Sequence, residues 1–476
     1  MTTPFENPSR KRALAEETAR IVDQAHVDSE VSTRHRPGGV REVALLAYPV
    51  VLTQLSVTLM GVVDIAMVGQ LGPVELAAVG FGGNWMWTLF CFFIGVAGVV
   101  QTFVSQHHGA QEPELCGAWC WQGIWLVMPI TAVMGGVLLL GLGPLLDLVL
   151  PSENMRPLTN TYMSIRMLGA VGMVGGYVFA SFFRGIGDTR TPLYATLLAN
   201  AINLVLDYGL IFGHLGLPEW GIAGAAVATT VAEWVFALLM LALFLRPRLR
   251  RLYQTSPVRI DWAAQKRVMR TGFPVGGQWA TEMLFFAIFL TMVAHLGDHP
   301  MAASQAFISL LSLSFMQAAG VGIAVATLVG RYIGASQPEH VKTSYNSGQK
   351  LAFAISAFIA ALFLLFPGAL MRIFTDSPEV IEMGRMLLFL GAFYQVFDAV
   401  CIVADNALRG AGDTQIPFIV RFVLACVVLM PLAWYLGFYL EGGLKGMWIA
   451  SGVDLAVLAA FLTWRFRSGA WRKIKI

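Results

Sequence analysis

An internal repeat constrains the fold of this chain more than any other feature of its sequence. The segment RGIGDTRTP, Arg184–Pro192, returns almost half a chain length later as RGAGDTQIP, Arg409–Pro417. The same offset carries Pro49 onto Pro274. The offset between the two copies stays constant from Pro49 to Pro192, which is not expected by chance. The sequence therefore predicts two copies of one structural unit.

Each copy of the repeated segment is interpreted as a tight turn between two helices. Glycine allows a positive φ, aspartate can cap the next helix, and proline fits its first turn. The segment therefore marks the repeat and is not itself predicted to bind a ligand.

The composition places both copies in a membrane. The chain is 57% hydrophobic and 13% charged, whereas a soluble domain has about 25% charged residues. A spanning helix needs about 20 mostly apolar residues. Twelve such segments are predicted, at 45–69, 79–104, 120–142, 160–183, 192–213, 222–246, 271–295, 304–328, 349–370, 384–408, 417–438 and 444–466.

Basic residues set the predicted orientation. They cluster before the first span, between the sixth and seventh spans, and after the last. Basic loops stay in the cytoplasm, so both termini and the central connection are predicted there. Six spans per copy is an even number, so both copies run the same way as a parallel repeat.

The predicted fold is an all-α membrane protein with twelve transmembrane helices in two six-helix lobes. The expected location is the cell inner membrane, crossed many times, and the expected state is a monomer in the lipid bilayer. The predicted parts are a disordered cytoplasmic tail at 1–38, an N-lobe at 39–246, a basic linker at 247–269, a C-lobe at 270–466 and a cytoplasmic tail at 467–476.

Repeated lobes around a central site are typical of secondary transporters. No GxxxxGK[ST] motif is present, which argues against ATP hydrolysis by this chain. No nucleophile–base set or metal-ligand spacing is found, so we predict no enzyme activity, no bound metal and no bound cofactor. The net charge of +3 reflects the cytoplasmic basic residues and does not indicate nucleic-acid binding.

Acidic residues inside the first copy are the first candidate site. An ionisable side chain in the middle of a spanning helix costs at least ~2.5 kcal/mol and is a functional candidate. Asp64 and Asp207 each lie the same distance in sequence after a proline, Pro49 and Pro192, which places both at about 22 Å from the cytoplasmic side. Asn203 lies four residues before Asp207 and therefore on the same helix face.

The second copy carries its own pair, Glu282 and Asp398, at about 12 and 16 Å from the cytoplasm. The repeat offset maps none of these four acids onto another acid: their counterparts are Phe289, Leu432, Val57 and Met173. Acids that only supported the scaffold would recur with it. We therefore interpret Asp64, Asp207, Glu282 and Asp398, with Asn203, as cation-coupling residues. Glu233 and Asp454 occupy similar places in the two copies and are interpreted as architectural.

Aromatic side chains can bind flat organic cations by stacking and cation–π contact. Tyr394 and Gln395, one turn before Asp398, are the predicted substrate-cavity residues.

These segments resemble the multidrug and toxic compound extrusion (MATE) family over essentially all of 40–466. FPVGGQWATE, Phe273–Glu282, and FYQVFDAV, Phe393–Val400, are similar to its NorM branch, in which the matching acids form the cation site. VDIAMVGQLG, Val63–Gly72, looks like the end of the family's first helix. NLVLDYGLIFG, Asn203–Gly213, is similar to the DinF branch, which is associated with a protonated helix 1 aspartate and a bend at a proline matching Pro49.

The resemblance implies export of small organic, cationic amphipathic drugs in exchange for Na⁺ or H⁺. The alternative is a flippase for a lipid-linked precursor, which needs cavity arginines for phosphate. The candidate acids favour cations, whereas Arg166 in the fourth span favours the alternative. A membrane receptor would need a signalling domain, for which the tails are too short.

Overall fold

The computed structural model describes residues 36–150 and 152–474. Within these ranges, twelve helices are long and apolar enough to cross a membrane. They are Val40–Gly69 (α1), Pro73–Gly109 (α2), Pro113–Val149 (α3), Met155–Ile186 (α4), Arg190–Phe212 (α5), Ile222–Phe244 (α6), Trp262–Ala294 (α7), Asp298–Gly334 (α8), Pro338–Leu365 (α9), Pro378–Gly410 (α10), Gln415–Tyr439 (α11) and Gly443–Arg467 (α12). The prediction of an all-α protein with twelve transmembrane helices is confirmed. The predicted tail at 1–38 lies almost entirely outside the described residues.

The repeat is visible in the helix boundaries. The first residues of α2 and α8, of α3 and α9, and of α5 and α11 are separated by the same offset that joins Pro49 to Pro274. Both α3 and α9 have proline in the first turn, where its missing N–H has no helical acceptor to lose. The interval read from the sequence therefore matches the starts of these three helix pairs, and the starts of the other three pairs differ from it by two to four residues.

The two repeated turns differ in the contacts made by their aspartates. Gly187 and Gly412 have φ values of 90° and 83°, which favour glycine. Asp188 accepts a hydrogen bond from the Thr191 backbone N–H at 3.0 Å, which is the predicted cap. Asp413 is instead buried and accepts from Arg465 Nε of α12 at 2.8 Å. The equivalent aspartate thus ties a turn to a neighbouring helix.

Three of the predicted spans contain a break or an irregular segment. The second predicted span, 79–104, has a one-residue break at Val99, between a helix that ends at Gly98 and one that begins at Val100. The ninth span was expected to reach residue 370, but α9 ends at Leu365 and a separate short helix, Pro367–Arg372, begins at a proline. Helix α11 contains two π-helical segments, Ala425–Leu429 and Tyr435–Tyr439, on either side of Pro431. Proline removes a backbone donor, and π segments of this kind occur preferentially at functional sites. Its repeat counterpart α5 is α-helical throughout.

The chain divides into two compact units. Among the described residues, unit 1 comprises 56–273 and 334–336 with Arg36, and unit 2 comprises 37–55, 274–333 and 337–474. The borders fall inside α1, between Leu55 and Ser56, and inside α7, between Phe273 and Pro274. The lobe limits 39–246 and 270–466 expected from the sequence stay a prediction, because a helix shared by two units belongs to neither alone.

Unit 1 is organised around α4, which packs against α2, α3 and α6. Helices α5 and α6 approach closely at Gly224, where an added Cβ atom would lie 2.4 Å from the Leu210 carbonyl oxygen. In unit 2, α10 packs against α9 and α12 in the equivalent arrangement. In both units the fourth helix of the repeat is therefore the central one.

A row of side chains on α3 holds the basic linker within unit 1. The linker contains the short helix Pro247–Tyr253. Trp121 and Trp125 donate from Nε1 to the carbonyl oxygens of Thr255 and Val258, at 2.9 and 3.0 Å. Gln122 donates to the Arg259 carbonyl at 2.8 Å and accepts from the Asp261 N–H at 3.1 Å. Side chains of α3 therefore hold the linker through hydrogen bonds to its backbone.

Candidate functional site

Two carboxyl groups meet in the interior of unit 1. Asp64 of α1 and Asp207 of α5 lie within hydrogen-bonding distance of each other. Asp207 is fully buried, and Asn203 donates to its Oδ2 at 2.7 Å from one turn away on α5. The Oδ1 atoms of both aspartates are buried and have no hydrogen-bond partner within 36–150 and 152–474. Two carboxylates this close repel each other unless they share a proton or bind a cation.

An arginine and a glutamate stand next to this pair. Arg166 of α4 binds Glu233 of α6 through two parallel contacts, Nη1–Oε2 at 2.7 Å and Nη2–Oε1 at 2.8 Å. Arg166 also donates to the hydroxyl group of Tyr162, one turn earlier on α4, and attracts Asp64 electrostatically. A bidentate guanidinium–carboxylate pair is rigid and strong. Both terminal nitrogens of Arg166 are therefore occupied by a carboxylate, which leaves little capacity for phosphate.

Unit 2 contains a second cluster, built around an arginine on a different helix. Arg421 of α11 contacts Glu282 of α7, with Nη2 and Oε1 3.1 Å apart. Gln278 donates to the same Oε1 atom at 3.3 Å from one turn earlier on α7. The Arg421 and Glu282 side chains are 24% and 28% exposed, so this pair is less enclosed than Arg166–Glu233, at 11% and 16%.

Two further acids face Arg421. Asp398 of α10 interacts electrostatically with both Arg421 and Glu282. Asp454 of α12 is 6% exposed and interacts with Arg421, and its buried Oδ1 atom has no hydrogen-bond partner among the described residues. Tyr394, one turn before Asp398, hydrogen-bonds to Ser451 of α12. The cluster therefore gathers oxygen ligands from α7, α10 and α12 around one guanidinium.

The sequence model of the MatE family matches residues 49–209 and again residues 274–435. The two matches begin at Pro49 and Pro274, which the repeat also pairs. The chain belongs to the MATE family of transporters. It is 31% identical over 442 residues to a probable multidrug resistance protein NorM of Thermotoga maritima, covering 91% of this chain and 93% of the relative. It is 30% identical to a multidrug resistance protein NorM of Burkholderia vietnamiensis, covering 89% and 93%.

A solved structure has the same fold. It is described as the outward-facing conformation of a multidrug resistance MATE family transporter of the MOP superfamily, with a TM-score of 0.84. The superposition covers 93% of this chain and 98% of the other, at 23% identity. The MATE fold is thereby shown for 93% of the chain.

The structure brings together the residues that the sequence grouped. Asp64, Asp207 and Asn203 form one set in unit 1, and Glu282 and Asp398 interact in unit 2. Their roles in coupling stay a prediction. Gln395 is 1% exposed and accepts from Ser314 Oγ, so it lies inside unit 2.

The structure also gives the surroundings of Tyr394 and Pro49, which could not be predicted from the sequence. Tyr394 lines a groove of about 260 Å³ in unit 2 with aromatic neighbours, among them Phe393, Phe397 and Trp448. Pro49 lies within α1, which is continuous through it. Its carbonyl oxygen accepts from Thr53 Oγ1 at 2.8 Å, and its ring nitrogen gives the helix no donor.

The structure adds three charged residues to the clusters of this MATE-family chain. Arg421 was missed in the sequence, although it is a basic residue inside a predicted span. Glu233 and Asp454 were interpreted as architectural, which stays a prediction; Glu233 binds Arg166, and Asp454 interacts electrostatically with Arg421. Their signal was present as ionisable residues within apolar helices. The charged partner of each residue lies on another helix and could not be predicted from the sequence.

The two clusters have the same charge composition from similar sets of helices. Unit 1 takes Asp64, Arg166, Asp207 and Glu233 from α1, α4, α5 and α6; unit 2 takes Glu282, Asp398, Arg421 and Asp454 from α7, α10, α11 and α12. Each of these sets has one arginine and three acids, a surplus of two negative charges when all are ionised. Such a cluster attracts cations and resists anions.

Proposed function

We propose that this chain exports small organic, cationic amphipathic compounds in exchange for Na⁺ or H⁺ by alternating access. The observation that carries the proposal is the surplus of carboxylates over arginine in each unit, within helices that cross the membrane. The multidrug resistance names of the NorM relatives support the substrate class. The bidentate pairing of both Arg166 terminal nitrogens with Glu233 is unfavourable for a lipid phosphate ligand.

Coupling follows from competition for the same oxygens. A proton or Na⁺ that binds between Asp64 and Asp207, or at Glu282 and Asp398, removes negative charge that a cationic substrate would otherwise meet. The coupling ion then weakens substrate binding, and by linkage the substrate weakens ion binding by the same factor. Alternate occupancy of this kind is what antiport requires.

The remaining parts of the proposal concern the helix hinge, the substrate-binding residues and the location in the membrane. Pro49 serves as a hinge in α1, because its ring leaves a backbone carbonyl without a helical donor. Tyr394 and Gln395 contribute to substrate binding in unit 2. The chain acts as a monomer in the cell inner membrane with both termini in the cytoplasm, as the basic residues indicate.

The test is ethidium transport by purified protein in proteoliposomes, under an imposed Na⁺ gradient and, separately, an imposed pH gradient. One gradient should drive export, and Asp64→Asn and Asp398→Asn should each reduce the driven rate at equal protein incorporation. The matched control is Glu382→Gln, at an exposed acid that pairs with Arg385 one turn away. Transport driven by neither gradient, or wild-type rates in both single variants and the double variant, would refute the carboxylate mechanism.

A further inference from the structure

The two arginines in the clusters are held differently. Arg166 is fixed by a bidentate pair with contacts of 2.7 and 2.8 Å, and only 9% of the residue is exposed. The shortest contact of Arg421 with a carboxylate is 3.1 Å, and about a quarter of its side chain is exposed. A long side chain with one longer contact loses less when it leaves its partner. Arg421 is thus the arginine that can move.

A second acceptor lies within the electrostatic reach of Arg421. Asp454 is 6% exposed, and its Oδ1 atom is buried without a hydrogen-bond partner in the part of the chain that the structure describes. Burying a carboxylate oxygen without a partner is costly, so the site as it stands is incomplete. Arg421 is the charged group that interacts favourably with Asp454. A guanidinium that moved from Glu282 to Asp454 would complete it.

The helix that carries Arg421 has a local irregularity. The π-helical segment Ala425–Leu429 begins one turn after Arg421, whereas α5, the repeat counterpart of α11, is α-helical at every residue. The other charged or titratable groups that face Arg421 are Glu282 from α7, Tyr394, Asp398 and Cys401 from α10, and Asp454 from α12. All of these groups are neutral or acidic, so within the described residues no second cation holds the arginine away from either carboxylate.

We propose that Arg421 is a tethered cation that alternates between two carboxylates. It binds Glu282 when that carboxylate is empty and moves to Asp454 when a coupling ion occupies Glu282. This inference rests on the proposed ion-coupled export and adds an internal competitor to it. Arg421 lowers the affinity of Glu282 for the ion enough to allow release, and it gives Glu282 a positive partner after release.

Substitutions of Arg421 and of Asp454 should therefore change the affinity for the coupling ion in opposite directions. In Arg421→Gln, Glu282 has no internal competitor, so the coupling ion should bind more tightly. In Asp454→Asn, the arginine has no second acceptor and stays on Glu282, so the ion should bind more weakly. An opposite charge within ~4–6 Å of a carboxylate changes its cation affinity by on the order of tenfold or more. We expect changes of about that size.

The experiment measures ethidium export from proteoliposomes that contain the full-length protein. NaCl is varied at fixed pH, and pH is varied at fixed Na⁺; the readout is the half-activating concentration of whichever cation drives transport. Arg421→Gln should lower it about tenfold and Asp454→Asn should raise it severalfold. The double variant should resemble Arg421→Gln, because Asp454 acts only through the arginine. Arg385→Gln, at an exposed arginine paired with Glu382, is the matched control and should leave it unchanged.

The outcomes separate this inference from the proposed function. If Glu282→Gln leaves the cation dependence unchanged, the proposed role of Glu282 fails and the inference fails with it. If Glu282→Gln removes the dependence while Arg421→Gln and Asp454→Asn shift it in the same direction, or act additively, only the tethered cation is refuted. A purely structural Arg421 predicts weaker ion binding in Arg421→Gln. Should a single variant not fold, the charge-balanced double variant still tests the inference, because ion binding there that is no tighter than in the wild type refutes the tethered cation.

Discussion

The Arg166–Glu233 pair provides a direct test of how much the unit 1 cluster depends on charge balance. Removal of one partner leaves the other as an uncompensated charge in a site where the side chains are 11% and 16% exposed. Breaking such a buried pair costs about 3–5 kcal/mol. The two contacts, at 2.7 and 2.8 Å, lead to a similar figure, since a hydrogen bond to a charged group contributes about 1.5–3 kcal/mol.

We therefore expect Arg166→Met and Glu233→Met each to destabilise the protein by about 3–5 kcal/mol. The double variant should lose much less, within about 1–2 kcal/mol of wild type, because a pair of hydrophobic side chains of similar volume replaces the ion pair. For a unit of this length, a single substitution should lower Tm by on the order of 10 °C. The double variant should recover most of that loss.

The assay is thermal unfolding in detergent, followed by tryptophan fluorescence, with ethidium export as a second readout. Arg385→Met is the control, because its partner Glu382 is exposed and surface pairs contribute little. Additive losses in the double variant would refute the reasoning, since they would show that the two side chains stabilise the fold independently. A stable double variant with no ion-driven export would show that the pair supports function and not stability.

Two further predictions concern helix packing and the linker. Gly224→Ala should destabilise the protein by about 1–3 kcal/mol, measured as a lower Tm in detergent, because its Cβ would lie 2.4 Å from the backbone of Leu210. The control Gly136→Ala, whose Cβ would have no described atom within 4 Å, should be neutral or slightly stabilising, and equal Tm values for the two variants would contradict the close approach. Gln122→Leu should make the linker about thirtyfold more sensitive to trypsin at Arg259, because two hydrogen bonds of about 1 kcal/mol each are lost. Cleavage at the wild-type rate would show that the tryptophans alone hold the linker.

Much of the fold could be predicted because the repeat and the apolar runs are one-dimensional signals. The constant offset between the copies located equivalent helix starts to within four residues, and segment length located the spans. The π segments beside Pro431 were not predicted, since a proline in an apolar run is compatible with a kink, a break or a regular helix. The division of α1 at Leu55 and Ser56 was not predicted either, because it depends on which neighbours each half of the helix contacts.

The candidate site was predicted only in part, because only the acidic residues inside the predicted spans were considered as functional residues. Acids inside predicted spans indicate Asp64, Asp207, Glu282 and Asp398, and helix periodicity adds Asn203. Arg421, whose Nη2 lies 3.1 Å from Glu282 Oε1, is not an acid and was missed. Partner choice is set by side-chain direction and helix packing, and neither is encoded in sequence spacing between different helices.

The repeat also shows why a comparison position by position understates what the two halves share. By that comparison none of the four candidate acids is duplicated, since Asp64 aligns with Phe289 and Glu282 with Val57. Grouped by helix, the halves agree, because the equivalent sets of four helices each supply three acids and one arginine to the cluster. In a low-dielectric interior, the cost of the cluster and its attraction for cations depend on the summed charge and the distances, whichever helix carries each group. The arginine lies on α4 in one unit and on α11 in the other. The summed charge of the two clusters is therefore the same, although the arginine pairs with a carboxylate on a different helix of the repeat.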